Sequence, residues 1–255
     1  MKKVVLIPGD GIGKEITNSV VTILEKAEAK IDWVECSAGL SAYEETGNPL
    51  PEETIQAIEE HRVALKGPLT TPVGTGFRSV NVALRQKFHL YSNIRPAQTL
   101  PSIDSAFKNV NMVIFRENTQ GLYIGKEQWV DEDEKNHAES IAVVTEEASK
   151  KIITSAFEYA RAHDRKKVTL VHKANILKFT TGLFLEVGRE VAKAFPEIEF
   201  EDLIVDNMAM QMVMRPQRFD VVVTTNLFGD ILSDLASGLV GGLGVTGAAN
   251  IGDDA

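Results

Sequence analysis

The sequence predicts an α/β fold with a largely parallel sheet. Two observations carry this. Short β-like apolar runs alternate with longer segments of helical periodicity, the order that lays helices over a parallel sheet. The composition is that of a globular chain, 44% hydrophobic and 25% charged, with ordinary Gly and Pro. Taken in order, KKVVLIP is a buried strand. GKEITNSVVTILEKA is a helix with apolar residues at Ile16, Val20, Ile23, Leu24 and Ala27. PEETIQAIEEH (51–61) is a helix with Pro in its first turn. WVDEDEKNH (129–137) is a solvated loop or hairpin. EEASKKIITSAFEYARAH (146–163) is a helix striped by Ala148, Ile152, Ala156 and Tyr159/Ala160, and KKVTLVHK is a strand. FTTGLFLEVGREVAKAF is a helix stopped by Pro196, and FDVVVTT is a strand ending at Thr225. No internal repeat or low-complexity segment interrupts the series.

The 255 residues suffice for one large domain or two modest ones. A net charge of −9 argues against binding nucleic acid through its phosphates, yet leaves room for anionic small molecules where arginines converge. Cys36 is the single cysteine, which excludes an intrachain disulfide and points to a reducing compartment, the cytoplasm. VVLIP is too short for the apolar core of a signal peptide. The uncharged stretch 235–252 is too rich in glycine to span a membrane.

In open α/β sheets ligands gather beyond the carboxyl ends of the strands. Residues 225–230 and 171–175 are two such places. The first opens NLFGDILSD, whose Asp230 and Asp234 lie one helical turn apart. Acids so close repel unless they are exposed, protonated or bridged by a cation, which for oxygen ligands is Mg²⁺ or Mn²⁺. The alternative is a pair of acids answering the helix macrodipole. Lys173, just past a strand, is an exposed lysine or, if desolvated, a base. Arg85, Arg95 and Arg116 are surface charges or bidentate grips for carboxylates. In IPGDGIGKE the glycines give G-x-G-x-G, not the dinucleotide fingerprint, so a tight strand-to-helix turn is an equal reading.

Together VVLIPGDGIGKE, GPLTTPVG, RSVNVALRQ, LYSNIRPA, FRENTQGLYIG, HKANILK and NLFGDILSDLASGLVGGLG resemble the metal-dependent decarboxylating dehydrogenases, the family of isocitrate, isopropylmalate and homoisocitrate dehydrogenases. The resemblance runs in family order over nearly the whole chain. It implies an α/β fold of two domains with a shared mixed sheet, not a Rossmann fold: a large domain of residues 1–97 plus 238–255 and a small, dimerising domain of residues 98–237. It makes the GDGIG turn structural. It implies Mg²⁺ or Mn²⁺ held by Asp230, Asp234 and a neighbouring subunit's Asp206. Arg85, Arg95 and Arg116 would bind substrate carboxylates, with Lys173 from the neighbour as base and Tyr123 as proton donor. Leu69, Thr71, Asn175 and Asn250 would bind the nicotinamide cofactor. Ser79 and Asn81 favour isocitrate, since a Ser-x-Asn suits a γ-carboxylate and would be left unpaired under an isopropyl group. LYSNIRPA leans toward NAD over NADP.

A homodimer or higher homo-oligomer is then the minimum assembly, with neither nucleic acid nor membrane as partner. The family continues past GAANIGDDA with a segment bearing its adenosine-binding loop, so this chain is expected to be C-terminally truncated, poorly stable and nearly inactive. Competing readings are a homoisocitrate, isopropylmalate or tartrate dehydrogenase, a non-catalytic regulatory subunit, and a Mg²⁺-dependent phosphoryl-transfer enzyme. The last lacks a phosphate cradle. Ser79 is also a candidate phosphorylation site, where a phosphate would repel a substrate carboxylate.

Overall fold

A computed structural model describes residues 1–70, 77 and 79–254. They form two compact units, Met1–Phe88 with Asp253–Ala255, and His89–Gly252.

The first unit runs β1 (Lys2–Ile7), α1 (Gly13–Lys26), β2 (Ile31–Glu35), α2 (Leu40–Thr46), α3 (Glu52–His61), β3 (Ala64–Lys66) and α4 (Val80–Lys87). Its sheet is parallel, in the order β2-β1-β3. Val5 and Ile7 alternate onto one face of β1 and pack with Ala38, Ile58, Val80 and Leu84. Pro51, expected inside the first turn of α3, is its N-cap, with extended ψ of 145°. α1 packs in an unusual way. The helix is where the periodicity puts it, but its buried residues are Gly13 and Thr17. The apolar row Ile12, Ile16, Val20 and Ile23 stays exposed, at 71% and 66% for its two ends. What holds α1 down is polar and close: Thr17 Oγ1 donates to the Pro8 carbonyl at 3.0 Å.

The second unit runs β4 (Ser92–Gln98), β5 (Asn111–Glu117), β6 (Gly121–Trp129), β7 (Ala138–Val143), α5 (Glu146–Ala162), β8 (Lys167–His172), α6 (Thr180–Ala192), β9 (Glu199–Ile204), α7 (Val205–Met214), β10 (Val221–Thr224), α8 (Asn226–Val240) and β11 (Ala249–Ile251). Its six-stranded sheet has the order β11-β4-β5-β10-β8-β9. The four strands β5, β10, β8 and β9 are mutually parallel, whereas β4 is antiparallel to both of its neighbours. This is the mixed sheet of the expected fold. It joins β4 and β11, from the stretches assigned to the first domain, to strands assigned to the second.

The central strands are apolar throughout because helices cover both faces. Phe115, Leu170 and Val223 face one cluster with Ile152, Phe157 and Phe184 of α5 and α6. Their neighbours Ile114, Val171 and Val222 face the other, with Met208 and Met212 of α7 and Leu232 of α8. Thr145 caps α5, accepting from the Ala148 amide. The charged stretch after Trp129 resolves as the connection of an antiparallel hairpin, β6-β7. Among the described residues no helix is long and apolar enough to cross a membrane.

Candidate active site

Strands β5 and β10 are parallel neighbours with Arg116 opposite Thr224. Their carboxyl ends therefore emerge together, and the chain leaving β10 turns at once into α8. This brings Arg116 against the first turns of that helix. Arg116 is 2% exposed, and its Nε and Nη2 donate to Asn226 Oδ1 at 2.9 and 2.7 Å. Nη1 donates to Asp230 Oδ1. Tyr123, from β6, donates its hydroxyl to the other oxygen of Asp230, and the Arg116 guanidinium stands 5.1 Å from its ring centroid. Burial and the Asp230 hydrogen bond push the Tyr123 pKa up, so the phenol keeps its proton. One turn along α8, Asp234 Oδ1 accepts from Arg95 Nη2 of β4 at 2.8 Å. The repulsion between the two acids is thus relieved by two guanidiniums.

Lys173 and Asp206 are brought together by a second pair of strand ends. His172 of β8 is opposite Ile204 of β9. The chain turns into a loop after the first and into α7 after the second, and Lys173 Nζ donates to Asp206 Oδ1 at 2.5 Å. That hydrogen bond, with the backbone N–H of Asp206 itself, holds the Asp206 carboxyl below its usual range. His172 fixes the loop: its Nδ1 accepts from the Ala174 amide at 3.0 Å, which leaves Nε2 to donate to Asp202 at 3.2 Å. Among the described residues no group of three metal-ligating side chains forms. One chain therefore does not gather Asp206 with Asp230 and Asp234.

The remaining expected site residues are on other elements. Ser79 is the N-cap residue of α4, its carbonyl accepting from the Ala83 amide at 3.0 Å. Asn81 and Arg85 follow one turn apart on that helix. Leu69 packs on the core of the first unit. Thr71 is outside the described residues. Asn175 is exposed in the loop after β8. Asn250, on β11, accepts through Oδ1 from Asn93 and Asn118 at 3.0 and 2.9 Å, so its amide oxygen ties β11 to the strands that carry Arg95 and Arg116.

Three residues escaped the sequence reading. Asn226 is the first residue of α8, and its partner is 110 positions away. Asp10 sits between two glycines and is 8% exposed. Burial disfavours its charge, but the amides of Ser41, Thr70 and Leu40 and the Ser41 hydroxyl outweigh that and hold its pKa low. Lys66 donates to the Gly67 carbonyl at 2.8 Å. Burial and the neighbouring Arg85 depress its pKa to about 8, against an opposing pull from Asp10. The glycine turn itself is filled by protein: a β-carbon on Gly9, at φ +88°, would lie 2.3 Å from the Pro68 oxygen.

The donor set on α8 fits a hard divalent cation. Asp230 and Asp234 are two carboxylates one turn apart, partly exposed at 40% and 57%, and Mg²⁺ takes one or two protein carboxylates and completes its shell with water or substrate.

Residues 3–255 match the isocitrate/isopropylmalate dehydrogenase family. The chain belongs to that family, and homologues of this kind are dehydrogenases that use a divalent metal and NAD(P). A solved isocitrate dehydrogenase from Methylococcus capsulatus is 60% identical and superposes with a TM-score of 0.98, covering 100% of this chain and 76% of that one. A mitochondrial regulatory polypeptide of the NAD isocitrate dehydrogenase of Dictyostelium discoideum is 46% identical over 100% of this chain and 69% of its own length. The chloroplastic 3-isopropylmalate dehydrogenase of Solanum tuberosum is 44% identical, covering 97% of this chain and 69% of its own length.

Proposed function

We propose that this protein carries out metal-dependent oxidative decarboxylation of isocitrate to 2-oxoglutarate, passing hydride to NAD. The observation that carries the reading is the convergence of Arg116, Tyr123 and Asp230: a buried cation for a carboxylate, a phenol that keeps its proton, and an acid available to a metal. In this reading Arg95 and Arg116, with Arg85, grip the carboxylates, each charged hydrogen bond contributing about 1.5–3 kcal/mol. Ser79 and Asn81 accommodate the γ-carboxylate, which separates isocitrate from isopropylmalate. Leu69, Thr71, Asn175 and Asn250 border the nicotinamide. Asp230 and Asp234, with Asp206 of the partner subunit, would hold Mg²⁺ or Mn²⁺, which when bound polarises the substrate hydroxyl and offsets developing negative charge. The partner's Lys173 accepts the hydroxyl proton as the C–H hydride departs. Loss of the β-carboxylate as CO₂ leaves an electron pair on carbon, and Tyr123 supplies the proton that quenches it.

Homodimerisation belongs to the same proposal. Met210, Val213 and Met214 of α7 and Ile231 of α8 are each more than half exposed. Such an apolar surface on one pair of helices suits a second copy of the chain. A cytoplasmic location is supported by the single cysteine.

Calorimetric binding of isocitrate and of isopropylmalate, each in the presence of Mn²⁺, tests the substrate. Binding of isocitrate alone is the expected result. Preference for isopropylmalate overturns the assignment of Ser79 and Asn81.

A further inference from the structure

Resting on the reading of Arg116 as a carboxylate grip, we propose that Asn226 is a positioning residue that decides which N–H groups Arg116 offers to the substrate. A guanidinium has five N–H donors in one plane. Asn226 Oδ1 takes Nε and Nη2 together, which is one whole edge of the group. Nη1 gives a further hydrogen to Asp230. One N–H remains on each terminal nitrogen, and these are the donors left for a substrate carboxylate.

Asn226 can do this because it is itself locked. It is fully buried, and its Nδ2 donates to the Gln120 carbonyl at 3.0 Å, which sets the amide so that oxygen faces Arg116. Gln120 is held in turn. Its side chain exchanges hydrogen bonds of 2.9 Å with the hydroxyl and amide of Thr145, the cap of α5. The orientation of Arg116 is therefore anchored through two further side chains to a helix cap.

The chemistry also requires an amide. A neutral oxygen orients the guanidinium without cancelling its charge. An aspartate of the same shape would pair with Arg116 and turn an acid oxygen toward the Gln120 carbonyl. The cluster of Arg116 and Asp230 would pass from neutral to net negative. That change repels a substrate carboxylate and spares, or strengthens, attraction for a cation.

The test compares the wild-type chain with N226D and N226A. Calorimetry gives the dissociation constants of Mn²⁺ alone and of isocitrate with Mn²⁺. Nitrogen-15 NMR of the arginine Nε–H groups, assigned with R116K, gives exchange protection at Arg116. Expected for N226D are unweakened Mn²⁺ binding, a retained Nε–H signal and isocitrate binding weakened roughly tenfold or more, the worth of one charged hydrogen bond. Expected for N226A is a rapidly exchanging Nε–H. A protected Nε–H in N226A, or wild-type isocitrate affinity in N226D, overturns the inference. If the wild-type chain binds neither isocitrate nor isopropylmalate, the substrate reading falls instead, and the Nε–H protection decides the positioning role alone. If N226A does not fold, the isosteric N226D decides it, through its Mn²⁺ and isocitrate constants where the acid binds and otherwise through its Nε–H signal, whose loss overturns the inference.

Discussion

Gly229 of α8 lies directly on the side chain of Arg116. A β-carbon at position 229 would stand 2.5 Å from Arg116 Cγ and 2.6 Å from its Cβ. The helix and the arginine can approach this closely only because residue 229 has no side chain. Arg116 is buried and held against the same helix by its two hydrogen bonds to Asn226, so it does not move away freely. Gly229→Ala is therefore expected to destabilise the second unit by about 1–3 kcal/mol, the usual cost of overpacking. Urea unfolding at pH 7 measures it, and an unchanged midpoint would show that α8 shifts at no cost.

Asp10 organises the first unit. Its carboxylate accepts from the amides of Leu40, Ser41 and Thr70 at 2.9, 3.0 and 2.8 Å, pinning the first turn of α2 and the loop at Thr70 to the β1–α1 turn. An Asn in its place presents a donor to donors, so Asp10→Asn should cost about 1–3 kcal/mol. The folded pKa lies below the unfolded value of 3.8. The stability Asp10 contributes is thus present above pH 4 and is lost as pH falls through its folded pKa. Trp33, in β2, reports on this unit once Trp129 has been replaced by Phe. The variant should unfold earlier at pH 7 and show a weaker loss of stability on acidification than wild type.

Lys66 gives a dependence of the same sense in an alkaline window, but from a group whose burial costs stability when it is charged. Its folded pKa is about 8 and its unfolded pKa 10.5, so between these values the unfolded chain binds the extra proton. Stability from this group rises with pH across that window. Lys66→Met removes the buried charge and should stabilise the first unit at pH 7, by up to about 3 kcal/mol. The gain should shrink toward pH 10. A gain independent of pH would mean that the lysine is not titrating there.

Val213→Glu places a charge on the exposed face of α7 without touching the core. Light scattering should show a wild-type dimer and a monomeric variant with unaltered secondary structure. A variant that stays dimeric would move the interface elsewhere.

Elements whose signal is local were legible. α5 spans Glu146–Ala162 where its stripe put it, and the strand of FDVVVTT is β10. Sheet order was not legible, because β10 inserts between β5 and β8 through pairings set by distant residues. The acids of NLFGDILSD were conspicuous, and their resemblance to family motifs made them the candidate site. Yet their immediate partners, Arg116 and Arg95, lie 114 and 139 positions away, and spacing carries no trace of them. Periodicity placed α1 but not its surroundings. The apolar row of α1 has helical spacing, but spacing reports that a face exists and is silent about what covers it.

That row has a consequence for handling. Ile12, Ile16, Val20 and Ile23 present a strip of oil to the solvent on a chain whose net charge of −9 opposes indiscriminate association. Salt screens that mutual repulsion, and sulfate strengthens the drive to hide apolar surface. Ammonium sulfate should therefore precipitate the chain while its fold is intact. Ile16→Glu with Ile23→Lys should move the precipitation point upward and leave the melting temperature where it was.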